Sequence, residues 1–88
     1  MNKYLVELFG TALLSFVIFS TGNYLAIGAA LAIGILLGGP ISGAAYNPAI
    51  TVALMMAGKL AKKDLVPYII AQIIGALAGY YLVKNFMK

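Results

Sequence analysis

Long apolar stretches with few charges dominate the chain, and short turn or loop sequences separate them. The three longest stretches cover residues 4–20, 24–38 and 65–83. A helix needs about 20 apolar residues to cross a bilayer, so each stretch predicts a spanning helix, the first two being short ones. The pattern therefore predicts an all-α membrane protein with three transmembrane helices.

A Gly- and Pro-rich stretch interrupts the apolar pattern between the second and third spans. It predicts non-helical backbone over residues 38–43, followed by a short helix. Asn47 is a favourable N-cap, Pro48 suits the first helical position, and Gly58 ends the helix. Ten residues rise about 15 Å, half of a hydrocarbon core about 30 Å thick. Residues 39–58 are thus predicted to form a re-entrant loop and half-helix, which must contact protein or water.

The composition agrees with a membrane setting and excludes several functions. The chain is 64% hydrophobic and 9% charged, with a mean hydropathy of +1.03, whereas soluble domains are about 25% charged. It contains no cysteine and no histidine, and its two carboxylates, Glu7 and Asp64, are far apart in sequence. We therefore expect no enzymatic activity, no cofactor and no metal site.

The net charge of +4 comes from six lysines against two acidic residues. The lysines lie at the ends of the apolar stretches, which is typical of membrane flanks and not of a nucleic-acid surface. We therefore expect the lipid bilayer as a partner, and no nucleic acid.

Small residues recur four apart on two of the predicted spans. Such small-xxx-small faces let helix backbones approach closely in lipid. We predict helix packing at these positions and a tightly packed bundle of several chains. The four glycines are Gly34, Gly38, Gly75 and Gly79.

Three sequence blocks carry a resemblance to a known family. They are ELFGT at residues 7–11, ISGAAYNPAIT at 41–51 and PYIIAQIIGA at 67–76. In this order and spacing they resemble the ExxGT, ISGAHxNPAVT and PYxxAQxxGA blocks in the N-terminal half of the aquaporins, the major intrinsic protein family. The resemblance implies that residues 1–88 form a single half-repeat, completed by an inverted partner copy.

The resemblance also implies a function. It implies a channel for passive passage of water or small neutral solutes, with the pore between two antiparallel copies and half-helix N-termini that exclude cations and protons. We expect such dimers to form tetramers of pores, eight chains in all. Four lysines on one side against two on the other give only a mild orientation preference, which suits insertion in both directions.

Site residues follow from the resemblance by position. The pore motif is Asn47, Pro48 and Ala49. The ladder of carbonyl acceptors is Gly43, Ala44 and Ala45. The selectivity filter is Ile27 from one copy with Ile35, Ala44 and Ile50 from the other. The loop is supported by Glu7 and Gln72.

Two departures from the family pattern accompany these assignments. Ala45 replaces the loop histidine, and no second half with its Asn-Pro-Ala-Arg is present in this sequence. The predicted filter is also entirely apolar, so it has no hydrogen-bond donor of its own.

Several alternatives stay open at this point. Glu7 also suits a side chain that extends to the membrane surface, and Gln72 suits a hydrogen bond to a neighbouring helix. The chain also suits a non-conducting partner subunit or a fragment of a longer channel. A dual-topology proton-coupled transporter is a further alternative because Glu7 lies in a span.

Overall fold

The molecule is built from helices joined by short turns, and the computed structural model describes residues 1–87. The α-helices are α1 (Lys3–Thr21), α2 (Tyr24–Ser42), α3 (Pro48–Met56) and α4 (Leu65–Phe86). A 3-10 turn, Lys62–Asp64, leads into α4. Three helical segments, α1, α2 and α4 with its preceding turn, are long and apolar enough to cross a membrane. Residues 1–87 contain no strand, and the predicted all-α membrane fold is confirmed.

Asparagine side chains cap the first three helices. The Asn2 side chain accepts a backbone hydrogen bond of 2.9 Å at the start of α1, and Asn23 accepts two of 2.9 and 3.0 Å at the start of α2. Between these helices Gly22 adopts a left-handed φ of 57°, which glycine tolerates without steric cost. Its N–H donates to the Ile18 carbonyl, so α1 ends in a tight turn and α2 begins directly after it.

The end of α2 differs from the sequence-based expectation. The Gly/Pro stretch predicts non-helical backbone from residue 38, but α2 continues through Pro40 to Ser42. A proline normally disfavours helix at the preceding residue by clashing with its Cβ, and here that residue is Gly39, which has none. The prediction was therefore wrong, and the backbone between α2 and α3 is non-helical only over residues 43–47.

α1 and α4 pack closely through two glycines. A Cβ on Gly75 would overlap the Leu8 carbonyl, and a Cβ on Gly79 would lie 2.6 Å from the Ala12 carbonyl oxygen. The hydroxyl of Ser15 donates to the Ala76 carbonyl at 2.6 Å across the same contact. Gly75 and Gly79 therefore bring two helices of one chain together, and their face is not available to a neighbouring chain.

The other glycine pair, Gly34 and Gly38 on α2, behaves differently. Both face the ring of Tyr46 and not another helix backbone. The predicted packing of helix against helix is therefore seen at Gly75 and Gly79, whereas Gly34 and Gly38 receive a side chain of the loop. The predicted bundle of several chains stays a prediction.

The start of α4 is tied to the start of α1 by Asp64. The carboxylate of this buried residue accepts from Lys3 Nζ at 2.7 Å and from the Tyr4 hydroxyl at 2.6 Å. It makes no capping hydrogen bond, although it immediately precedes α4 and aspartate is a favourable N-cap residue. Its backbone is helical, with φ −91° and ψ −9°, whereas an N-cap residue is typically extended.

Candidate functional site

The connection between α2 and α3 is a strained loop. Gly43, Ala44 and Tyr46 have positive φ angles of 83°, 49° and 54°. A left-handed backbone costs a residue with a side chain roughly 1–2 kcal/mol, and two of these three residues have one. Such a conformation persists only where the surrounding structure holds it.

Glu7 on α1 holds this loop from within the helix bundle. Its side chain is fully buried, and its carboxylate accepts four hydrogen bonds. Two come from the loop backbone, from Ala45 N–H at 3.1 Å and Tyr46 N–H at 2.8 Å. The others come from the Ser42 hydroxyl at 2.7 Å and Gln72 Nε2 at 2.8 Å. An ionised carboxylate is an acceptor only, which matches four donors around it.

Gln72 on α4 extends the network to the half-helix. Its Nε2 donates to Glu7 and also to Thr51 Oγ1 at 2.7 Å, and the Thr51 hydroxyl donates to the Asn47 carbonyl at 2.8 Å. Gln72 and Thr51 are almost completely buried. The network therefore joins α1, α4, the loop and the first turn of α3.

The two sides of the loop backbone have different partners. The N–H groups of Ala44, Ala45 and Tyr46 donate to the Ser42 hydroxyl and to Glu7. The carbonyls of residues 43–45 accept no hydrogen bond from any other group within residues 1–87. These are the three carbonyls of the predicted acceptor ladder. A backbone carbonyl at membrane depth needs a partner, so this side of the loop requires water, solute or another protein surface.

The half-helix α3 starts at the exposed end of this loop. Asn47 Oδ1 accepts from Ala49 N–H at 2.7 Å and Ile50 N–H at 3.3 Å, and Pro48 occupies the first turn. Asn47, Pro48 and Ala49 are all exposed. Within residues 1–87, the Asn47 amide nitrogen donates no hydrogen bond and is left as a donor on the surface. Nine residues rise about 13 Å, close to half a hydrocarbon core.

The four predicted filter residues lie in different environments. Ile35 and Ile50 are 48% and 50% exposed, and Ile27 is half-buried. Ala44 is buried and clusters with Val6 and Tyr46. A single chain therefore presents two of the four side chains on its surface, while Ala44 packs inside it.

Sequence reasoning missed four side chains that hold the loop. Ser42 and Thr51 take part in the Glu7 and Gln72 network, and the buried Tyr68 hydroxyl donates to the Ser42 carbonyl at 2.7 Å. The available signal was polarity, since hydroxyl groups inside membrane segments usually have a hydrogen-bond partner. The fourth, Tyr46, had no local signal, because its contacts come from glycines distant in sequence.

The fold and the anchored loop together define a class of protein. Three membrane-spanning helices and a half-helix that begins at a buried loop describe an integral, multi-pass membrane protein. Among the residues described, no cluster of three or more His, Cys, Asp or Glu side chains is placed to hold a metal ion.

Comparison with known proteins supplies the family. The family model "Major intrinsic protein" matches residues 21–88. "Glycerol uptake facilitator protein-like 6" of Lactiplantibacillus plantarum is 41% identical over 97 residues, covering 100% of this chain and 45% of the relative. Aquaporin Z of Brucella melitensis is 39% identical over 94 residues, covering 90% of this chain and 41% of the relative. The chain belongs to the major intrinsic protein family.

The matches also differ in extent. Aquaporin AqpM of Methanothermobacter thermautotrophicus is 50% identical over 58 residues, covering 66% of this chain and 24% of the relative. The chain thus spans less than half the length of the curated relatives it matches. No solved structure gives a significant match.

Proposed function

We propose that the chain supplies one wall of a transmembrane channel for water or small neutral solutes. The observation that carries this proposal is the division of the loop into two sides. Glu7 and Ser42 bind its N–H groups, whereas the carbonyls of residues 43–45 and the Asn47 amide nitrogen have no partner within residues 1–87. Three acceptors followed by one donor form a path along which a polar solute exchanges hydrogen bonds.

The half-helix adds a charge selection to this path. The N-terminus of an α-helix carries roughly half a positive charge, and α3 begins at the exposed Asn47. A neutral solute accepts a hydrogen bond from the Asn47 amide there, whereas a cation is repelled. Two such N-termini facing each other would oppose cations and protons more strongly than one.

An inverted second copy is the proposed other wall. Transporters and channels commonly pair two half-repeats of opposite orientation around a midplane site. Three spanning helices place the two ends of this chain on opposite membrane sides, so an inverted copy has the geometry of the missing half. Membership of the family supports the further proposal that antiparallel dimers assemble as tetramers of pores, eight chains in all.

A different partner is the second candidate. The chain covers less than half the length of its relatives, which supports as an alternative a different half-repeat, on another polypeptide or on further sequence, as the other wall. In that case the chain alone does not conduct, and it acts as one part of a larger channel.

Selectivity between water and larger neutral solutes depends on the filter. The relatives include proteins named for glycerol uptake and for aquaporin activity. Ile35 and Ile50 are exposed apolar side chains, and we propose that they line the narrow part of the pore together with Ile27. The Ala44 side chain is buried within the chain, so we propose only its carbonyl for the path. An apolar constriction tends to lose water, which favours glycerol-like solutes over water.

Stopped-flow light scattering of proteoliposomes that contain only this protein tests the proposal. In a glycerol gradient, we expect the vesicles to re-swell faster than empty vesicles. In a gradient of an impermeant solute, which reports water permeability, we expect a smaller acceleration of shrinkage. Assembled protein that accelerates neither would contradict conduction by this chain alone. Flux that appears only after a second half-repeat is added would instead establish the different-partner candidate.

A further inference from the structure

The ring of Tyr46 fills a slot that three glycines leave open. Gly10 comes from α1, and Gly34 and Gly38 come from α2. A Cβ on Gly10 would overlap the ring, one on Gly38 would overlap the hydroxyl, and one on Gly34 would lie 3.0 Å from Cε2. Tyr46 is only 5% exposed. The three glycines together therefore form a slot that accommodates one aromatic side chain.

Both ends of Tyr46 are fixed. Its N–H donates to Glu7 Oε1 at 2.8 Å, and its hydroxyl donates to the Gly34 carbonyl at 2.7 Å. Between these contacts the backbone has the unfavourable φ of 54°. Without the ring contact, this φ would relax toward negative values while the Glu7 hydrogen bonds still allow the chain to turn. Asn47 is the next residue, so such relaxation would redirect its amide.

We propose that Tyr46 is a positioning residue, whose ring in the slot of Gly10, Gly34 and Gly38 fixes the direction of the Asn47 amide. The inference deepens the proposed channel function and rests on it for its consequence for flux. Glu7 holds the loop by its backbone from one side, and the slot holds it by a side chain from the other. The hydroxyl of Tyr46 contributes a directional contact that phenylalanine would lack.

A buried cysteine reports on the loop without any need for conduction. The chain has no cysteine, and Ala45 is 6% exposed, so the Ala45→Cys variant carries a single protected thiol. A membrane-permeant maleimide reacts with this thiol only when the loop leaves its place. Its labelling rate in proteoliposomes therefore measures the fraction of displaced loops.

Glycine substitutions in the Ala45→Cys background test the slot. Gly38→Ala places a methyl group on the Tyr46 hydroxyl, so we expect labelling to accelerate between about fivefold and a hundredfold. Tyr46→Phe removes that hydroxyl and leaves contacts of 2.9 Å with Val6 Cγ1 and 3.2 Å with Cζ of the ring. The double variant Gly38→Ala with Tyr46→Phe should therefore be labelled much more slowly than Gly38→Ala, at a rate close to that of Tyr46→Phe alone.

Gly10→Ala and Gly28→Ala are the matched controls. The methyl group on Gly10 meets ring carbons that phenylalanine retains, so Tyr46→Phe should not rescue it. Gly28 has no atom within 4 Å of an added Cβ and should behave as the parent. Labelling that is unchanged in Gly38→Ala, or not rescued by Tyr46→Phe, would overturn the slot. If Gly10→Ala fails to assemble, the comparison of Gly38→Ala with and without Tyr46→Phe still tests the slot.

Flux measured on the same variants separates this inference from the channel proposal. The full inference is supported if the parent conducts and if the variants that are labelled faster also lose flux. If the parent does not conduct, the proposal of conduction by this chain alone fails while labelling still tests the slot. If labelling changes but flux in a conducting parent does not, Tyr46 holds the loop without positioning the Asn47 amide, and the inference is wrong.

Discussion

The inner and outer sides of the loop between α2 and α3 are opposites. On the inner side, the side chains of Glu7, Ser42 and Gln72 form a continuous hydrogen-bond network with the backbone, and all three are buried. On the outer side, the carbonyls of residues 43–45 and the Asn47 amide nitrogen have no partner within residues 1–87. The same short segment is thus fully bound on one side and open on the other.

This difference shows how one chain builds part of a site. The inner network holds a strained backbone, so the outer groups do not need to rearrange when they meet a solute. Such prior organisation is valuable because a partner or solute then binds without the cost of ordering the loop. The inner side should therefore control stability, and the outer side should control conduction. The following predictions test that division.

Breaking the inner side should have the largest effect. Glu7→Gln replaces one acceptor oxygen with an NH₂ group that faces donors, so about two hydrogen bonds become unsatisfied. At about 1–3 kcal/mol each, the free energy of unfolding should fall by about 2–6 kcal/mol. The stability of Glu7→Gln is compared with that of the parent by heating both proteins in detergent and measuring the fraction that stays monodisperse.

Asp64→Asn is the matched control, because Asp64 is the other carboxylate of the chain. It binds the part-exposed Lys3 and lies outside the loop network, so its loss should destabilise the protein less than Glu7→Gln. Equal loss of stability in the two variants would mean that the loop network contributes no more to the free energy of unfolding than the Asp64 contacts do.

Breaking the outer side at Asn47 should reduce flux with little loss of stability. Asn47→Ala removes a cap worth about 1 kcal/mol, and it also removes the exposed amide donor. Loss of one net hydrogen bond in the path predicts a flux lower by about fivefold, measured per assembled unit by stopped-flow swelling.

Asn23→Ala supplies the control for this experiment. Asn23 caps α2 with the same pair of backbone contacts but lies at the turn after α1, away from the loop. It should cost similar stability and leave flux unchanged. Asn47→Ala that behaves like Asn23→Ala would show that Asn47 is a cap and nothing more.

An effect of the same size as that of Asn47→Ala concerns selectivity at the outer rim. Ile50 is half exposed on the first turn of α3, so Ile50→Arg adds donors where the predicted filter has none. We expect the water-to-glycerol permeability ratio to rise by about fivefold, the value of one net hydrogen bond. Ile50→Leu keeps the site apolar and should leave the ratio unchanged. An intact Ile50→Arg assembly with the parental ratio would remove Ile50 from the filter.

The sequence was sufficient for the helices and for part of the loop. The lengths of the apolar stretches predicted three spans, and the Asn47-Pro48 pair predicted the start of the half-helix within one residue. These features depend on local rules of capping and hydropathy. The family resemblance pointed to Glu7 and Gln72, whereas composition alone left a surface position open for Glu7.

The remaining features depend on contacts between distant residues. α2 passes through Pro40 because Gly39 has no Cβ, which a reading of Pro as a helix end overlooks. Asp64 precedes α4 but does not cap it, and binds Lys3 and Tyr4, about 60 residues away in sequence. The role of Gly34 and Gly38 became visible only once Tyr46 was placed beside them. Periodicity does not report which side chain a small residue faces.

The central claim, that an inverted second copy completes the pore, is tested most directly by the orientation of the chain in conducting vesicles. Ala61→Cys and Met87→Cys place single thiols beyond opposite ends of α4 without changing the lysines that influence orientation. A membrane-impermeant maleimide, applied before and after the vesicles are opened, reports the side of each thiol. The account predicts that each position is found on both membrane faces in comparable fractions. Vesicles of this chain alone that conduct, yet show each thiol on one face only, would contradict it.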